Sequence, residues 1–222
     1  MSVARRVGLT PERQGTLVHT LQAVMFGILS VGVWLGNAGV VVNAAVGLCV
    51  TFLPAYLERN YRFTMSVGLV LWITVAMFLH ALGTLPLPGA DLATLYGSTW
   101  WWDHMTHALS SSLVAGVAYA VARALDEHAE AIVLPPRFLF VYLLVFVMAF
   151  GVVWELLEFY ISVLAGALGT GTVLTQYGLD DTLLDLGYNT LGGLLVALFG
   201  TAHLTGVAAE LAGRLGDRAD EG

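Results

Sequence analysis

Six long apolar stretches run along the chain, separated by short segments that contain most of its charged residues. A helix needs about 20 mostly apolar residues to cross the hydrocarbon core of a bilayer, and each stretch has roughly that length. The pattern therefore predicts an all-α polytopic membrane protein, a bundle of about six transmembrane helices. The predicted helices cover residues 17–36, 38–57, 64–82, 104–125, 138–162 and 183–206.

The positions of the arginines predict the orientation of these helices. Arginines lie before helix one, between helices two and three, at the connection between helices four and five, and after helix six, and the other three connections contain none. They are Arg5, Arg6, Arg13, Arg59, Arg62, Arg123, Arg137, Arg214 and Arg218. Because positive residues near spanning helices stay in the cytoplasm, we expect a multi-pass protein of the cell (plasma) membrane with both termini cytoplasmic. The first stretch is too long for the core of a signal peptide, so we interpret it as a spanning helix.

Composition narrows the possible partners. The chain is 58% hydrophobic and only 11% charged, whereas soluble domains carry about 25% charged residues. This composition predicts that the protein lies in a lipid bilayer. Its net charge of −7 is opposite in sign to the basic face that binds nucleic acid, so we expect no nucleic acid partner. The single cysteine, Cys49, excludes a disulfide framework and a cysteine zinc site. Without internal repeats or long linkers, residues 1–222 are predicted to form a single integral membrane domain.

Ionisable residues at and within the later predicted helices are grouped rather than scattered. They are Asp103 and His107 at the start of helix four, Glu155 and Glu158 in helix five, and Asp181 and Asp185 at the start of helix six. The members of each pair are three or four residues apart and are therefore neighbours on one helix face. The predicted orientation places all six near the extracytoplasmic face. We therefore predict a polar site of carboxylates and imidazole between helices four, five and six.

Glu155 is the predicted site residue that lies deep within an apolar stretch. It lies 17 residues after Phe138, or about 25 Å along the helix, at a depth where an unpaired carboxylate costs about 2–3 kcal/mol. Two carboxylates as close as Glu155 and Glu158 repel each other unless a proton or a cation compensates them. Oxygen and imidazole donors suit zinc, manganese or iron. By hypothesis the six grouped residues are ligands of a divalent metal ion, and Glu155 or Glu158 is the candidate catalytic base.

Three short motifs carry a resemblance to a known family. They are Trp102-Asp103 followed by His107, the run Trp154-Glu155-Leu156-Leu157-Glu158-Phe159, and Thr175-Gln176 leading to Asp181-Thr182-Leu183-Leu184-Asp185. At these motifs the chain resembles the YjdF-like family of uncharacterised integral membrane proteins. A weaker likeness to VanZ-like membrane proteins lies in the segment from Asp185 to Gly193. The resemblance covers residues 102–200 and supports the site, but it implies no particular reaction.

Three functions remain open on this sequence. The first is a divalent-metal site used in hydrolysis of an envelope or lipid-linked substrate at the outer leaflet. The second is a proton- or cation-coupled transporter of a small molecule or ion. The third is a non-catalytic scaffold, in which a protonated Glu155 bonded to Asn189 or His107 fastens the helices together. The pattern alone does not decide whether the protein is an enzyme.

Overall fold

The computed structural model of the chain describes residues 10–87, 89, 93–128, 132–199, 204 and 206–213. Every regular element within these residues is a helix, which confirms the predicted all-α fold. The helices are α1 (Pro11–Leu35), α2 (Ala38–Tyr61), α3 (Val67–Gly83), α4 (Leu95–Ser98), α5 (Trp102–His128), α6 (Pro136–Leu168) and α7 (Leu179–Phe199). Residues 206–213 are helical as well.

Five of the described helices are long and apolar enough to cross a membrane, namely α1, α2, α5, α6 and α7. Helix α3 is apolar but has only 17 residues, about 26 Å of helix against a hydrocarbon core of about 30 Å. The chain is thus an all-α polytopic membrane protein. The count of six spanning helices stays a prediction. The predicted orientation of the helices stays a prediction as well. Four of the arginines on which it depends, Arg5, Arg6, Arg214 and Arg218, lie outside the described residues.

Several predicted helix bounds differ from the observed ones, and at two of them a capping residue, rather than the edge of the apolar stretch, sets where the helix starts. Helix α1 begins six residues earlier than predicted, since the Thr10 side chain accepts a hydrogen bond from the Arg13 amide. Helix α3 begins at Val67 instead of residue 64, because Ser66 caps it. Helix α6 continues to Leu168 rather than ending at residue 162, and α7 starts at Leu179 rather than residue 183. The four-residue helix α4 lies in a segment predicted as loop.

The described residues form two compact units. The first is drawn from Met1–Asp103 with Tyr160–Thr175, and the second from His104–Phe159 with Gln176–Gly222. In the first unit, helices α1, α2 and α3 pack against one another around a small apolar core. That core consists of Met25, Ile28, Val40, Ala44, Leu48 and Ala81. The single membrane domain predicted from the sequence stays a prediction.

Glycines bring the helices of the second unit close together. A Cβ atom on Gly192 of α7 would lie 2.2 Å from the carbonyl oxygen of Ala108 in α5. A Cβ atom on Gly151 of α6 would lie 2.7 Å from the side-chain nitrogen of Asn189 in α7. Small residues allow this close approach of helices in membranes. The two contacts fix α7 against α5 and α6 close to the buried ionisable residues.

Candidate functional site

Three helices of the second unit each bring one buried ionisable side chain to a common point. His107 of α5 and Glu155 of α6 are each 5% exposed, and Asp185 of α7 is 0% exposed. The imidazole of His107 lies between the two carboxylates. Its Nδ1 is 4.0 Å from Oε1 of Glu155, and its Nε2 is 3.8 Å from Oδ2 of Asp185. Both distances are too long for a hydrogen bond.

The two carboxylate oxygens that face His107 have no hydrogen-bond partner among the described residues. They are Oε1 of Glu155 and Oδ2 of Asp185, and both atoms are buried. Leaving a buried acceptor without a donor costs about 1–3 kcal/mol, and more if the group is charged. A cluster with two such atoms is therefore expensive unless a proton or a cation compensates it.

The second oxygen of Asp185 is held from α5. Nδ1 of His104 lies 2.7 Å from Oδ1 of Asp185, and both side chains are buried. The imidazole of His104 also stacks on the ring of Tyr188, with centroids 5.1 Å apart and planes inclined by 13°. His104 is thus fixed on two sides, and it fixes the rotation of the Asp185 carboxylate.

The second oxygen of Glu155 is held from α7. The hydroxyl of Thr182 donates to Oε2 of Glu155 at 2.9 Å. The same hydroxyl accepts a hydrogen bond of 2.9 Å from Nε2 of Gln176 in the segment before α7. Glu155 therefore accepts its hydrogen bond from Thr182. The scaffold hypothesis had expected Asn189 or His107 in that place.

A third carboxylate lies one turn along α6. Glu158 is 8% exposed, and Nε1 of Trp154 donates to its Oε1 at 2.9 Å. His107, Glu155 and Glu158 can each place one ligand atom within 4.8 Å of the others, the spacing of a three-ligand metal site. Two ligands bound to one tetrahedral ion at 2.1 Å are about 3.4 Å apart. The group is thus already close to the spacing that one divalent ion requires.

Asp181 and Asp103 complete the set of six predicted ligands. Asp181 forms a second three-member group with His104 and Asp185, again within 4.8 Å. One of its oxygens, Oδ2, accepts from the backbone amide of Tyr177 at 3.1 Å. Asp103 lies in the first turn of α5, one turn before His107 in sequence, and its role as a ligand stays a prediction.

Four contributing residues were not among the predicted site residues. They are His104, Trp154, Gln176 and Thr182, each of which holds one carboxylate or its donor. All four lie within or beside the motifs that carry the family resemblance. Each of these four side chains can donate a hydrogen bond, which a buried carboxylate needs. This is the feature of the sequence by which they could have been found.

Chemically, the second unit places His107 beside three buried carboxylates, those of Glu155, Glu158 and Asp185, and each carboxylate has one oxygen held by a neighbouring side chain. Catalytic zinc sites keep three protein ligands and one position for water or substrate. Their ligands are in turn oriented by outer hydrogen bonds, as the carboxylates are here. The same arrangement without a cation would require protons in the cluster.

Comparison with protein-family models identifies a family that matches most of the chain. The model of a family described as "Predicted membrane protein (DUF2238)" matches residues 17–206. The match includes the apolar stretches of the first half, beyond the segment in which the motifs lie. No curated protein and no solved structure matches the chain.

Proposed function

For this chain, which belongs to the DUF2238 family of predicted membrane proteins, the YjdF-like family that its motifs resemble, we propose from the geometry of the buried cluster that the cluster binds a divalent metal ion. His107, Glu155 and Glu158 are the proposed protein ligands. On the orientation predicted from the arginines, the site would lie near the extracytoplasmic face of the plasma membrane.

One observation carries this proposal. Oε1 of Glu155 is buried, lacks a hydrogen-bond partner among the described residues and faces Nδ1 of His107 at 4.0 Å. A cation between these two atoms would compensate the carboxylate and use the imidazole at the same time. On the other side of the ring, Asp185 lies 3.8 Å from Nε2. At that distance the carboxylate does not accept a hydrogen bond from the ring, but its charge would favour the tautomer that carries its proton on Nε2 and leaves Nδ1 for the ion.

The reaction that we propose for this site is hydrolysis of a lipid-linked or other envelope substrate. A divalent ion lowers the pKa of bound water towards neutrality and polarises the bond to be cleaved. A lipid-linked substrate reaches a site between spanning helices without leaving the bilayer.

Elemental analysis of the detergent-purified protein tests the metal proposal. We expect about one divalent ion per chain in the wild type and none in Glu155→Ala. Glu127→Ala is the matched control, because Glu127 is exposed on α5 and pairs with Arg123 outside the cluster. Metal-free wild type prepared in zinc-supplemented medium would contradict the proposal and leave a proton pathway or a structural cluster.

A further inference from the structure

A chain of two hydrogen bonds leads from the segment before α7 to the buried carboxylate of α6. Gln176 donates to Thr182, and Thr182 donates to Oε2 of Glu155, each at 2.9 Å. All three residues belong to the second unit. We infer that Thr182, held by Gln176, is a positioning residue that directs Oε1 of Glu155 towards the metal. This inference rests on the metal site proposed above.

The direction of the chain is fixed by the chemistry of its members. An amide nitrogen only donates, so Nε2 of Gln176 occupies a lone pair of the Thr182 hydroxyl. The hydroxyl hydrogen must then point elsewhere, and the atom in reach is Oε2 of Glu155. With a donor on Oε2, the oxygen of Glu155 that has no partner among the described residues, and that is open to a cation, is Oε1.

Fixing Oε2 has a geometric consequence. A free carboxylate rotates and exchanges its two oxygens, whereas a carboxylate held at one oxygen presents the other in one direction. In this structure the presented atom, Oε1, is the one that lies 4.0 Å from His107 and has no partner among the described residues. The hydroxyl of Thr182 therefore prepares the monodentate arrangement that a three-ligand site needs.

Zinc affinity of the full-length, chelator-treated protein in detergent tests the inference. Thr182→Val keeps the volume and removes the donor, and we expect about 10–100-fold weaker zinc binding, the usual cost of removing an outer-shell partner. Thr182→Ser should restore most of the affinity because it restores the hydroxyl. Thr190→Val is the control, since Thr190 lies on the same helix but donates to the Leu186 carbonyl.

The upstream link is tested by a double-mutant cycle. Gln176→Leu should weaken zinc binding in the wild-type background and have no effect in Thr182→Val, because both act through one path. Equal thermal stability of all variants in chelator would show that folding is intact. If the wild type binds zinc and Thr182→Val binds it as tightly as Thr190→Val does, the role of Thr182 is overturned while the metal site stands. A wild type that binds no zinc overturns both proposals.

Discussion

Replacing Glu155 by glutamine separates a metal ligand from a structural hydrogen-bonding group. The amide has almost the same volume, and its oxygen can accept the hydrogen bond that Thr182 donates to Oε2. Its nitrogen would then occupy the position of Oε1, 4.0 Å from Nδ1 of His107. An amide nitrogen carries no lone pair for a metal and no negative charge. The variant should therefore fold normally and lose the ion.

The expected size of the effect follows from binding linkage. A ligand present at 100 times its dissociation constant stabilises the native state by about 2.7 kcal/mol. For a chain of about 200 residues, each kcal/mol shifts Tm by about 2–4 °C. Chelation should therefore lower the Tm of the wild type by roughly 5–11 °C and leave that of Glu155→Gln unchanged.

The assay is thermal unfolding of the detergent-purified protein with zinc and with chelator. Glu127→Gln is the matched control, and it should retain the full chelator response because its carboxylate lies outside the cluster. The Tm of Glu155→Leu, like that of Glu155→Gln, should not change when chelator is added. A wild type whose Tm is the same with zinc and with chelator, together with a Glu155→Gln variant of equal Tm, would refute the reasoning and identify Glu155 as structural.

Three further predictions test the neighbourhood of the site and the topology. His104→Phe keeps a ring beside Tyr188 but leaves Oδ1 of Asp185 buried without its donor. The free energy of unfolding, measured by chemical denaturation, should therefore fall by about 1–3 kcal/mol. Gly192→Ala should destabilise the protein by about 1–3 kcal/mol, since its Cβ would overlap α5; Gly187→Ala on the same helix has open space and should not. In a cysteine-free background, Gly97→Cys should react with an impermeant maleimide in intact cells and Glu127→Cys should not; the reverse pattern would invert the predicted orientation.

The apolar stretches predicted most of the fold because helices in a membrane need long runs of apolar residues. Helix α4 has four residues, too few for any hydrophobic pattern to indicate it. The start of α1 depends on one hydroxyl, that of Thr10, which lies seven residues before the apolar stretch begins. Helix ends are decided by such single hydrogen bonds, whereas helix centres are decided by many residues together.

For the site, the energetic cost of burying a carboxylate singled out Glu155, and the spacing of Asp181 and Asp185 on one helix face added Asp185. Their hydrogen-bond partners could not be derived in the same way. Thr182 is 27 residues from Glu155, and His104 is 81 residues from Asp185. Spacing rules relate residues within one helix, but these contacts depend on how each helix is rotated about its own axis. That rotation is set by packing at positions such as Gly192.

The distance along the chain between Glu155 and its donor also has a consequence for biosynthesis. Thr182 is made 27 residues after Glu155, which at about 5–20 residues per second is a delay of roughly 1–5 s. During that interval α6 carries an ionisable group whose partners on α7 do not yet exist. The last of the three helices to leave the ribosome is thus the one that completes the cluster. A chain truncated before α7 should keep this carboxylate uncompensated, and we expect it to be degraded faster than the full chain.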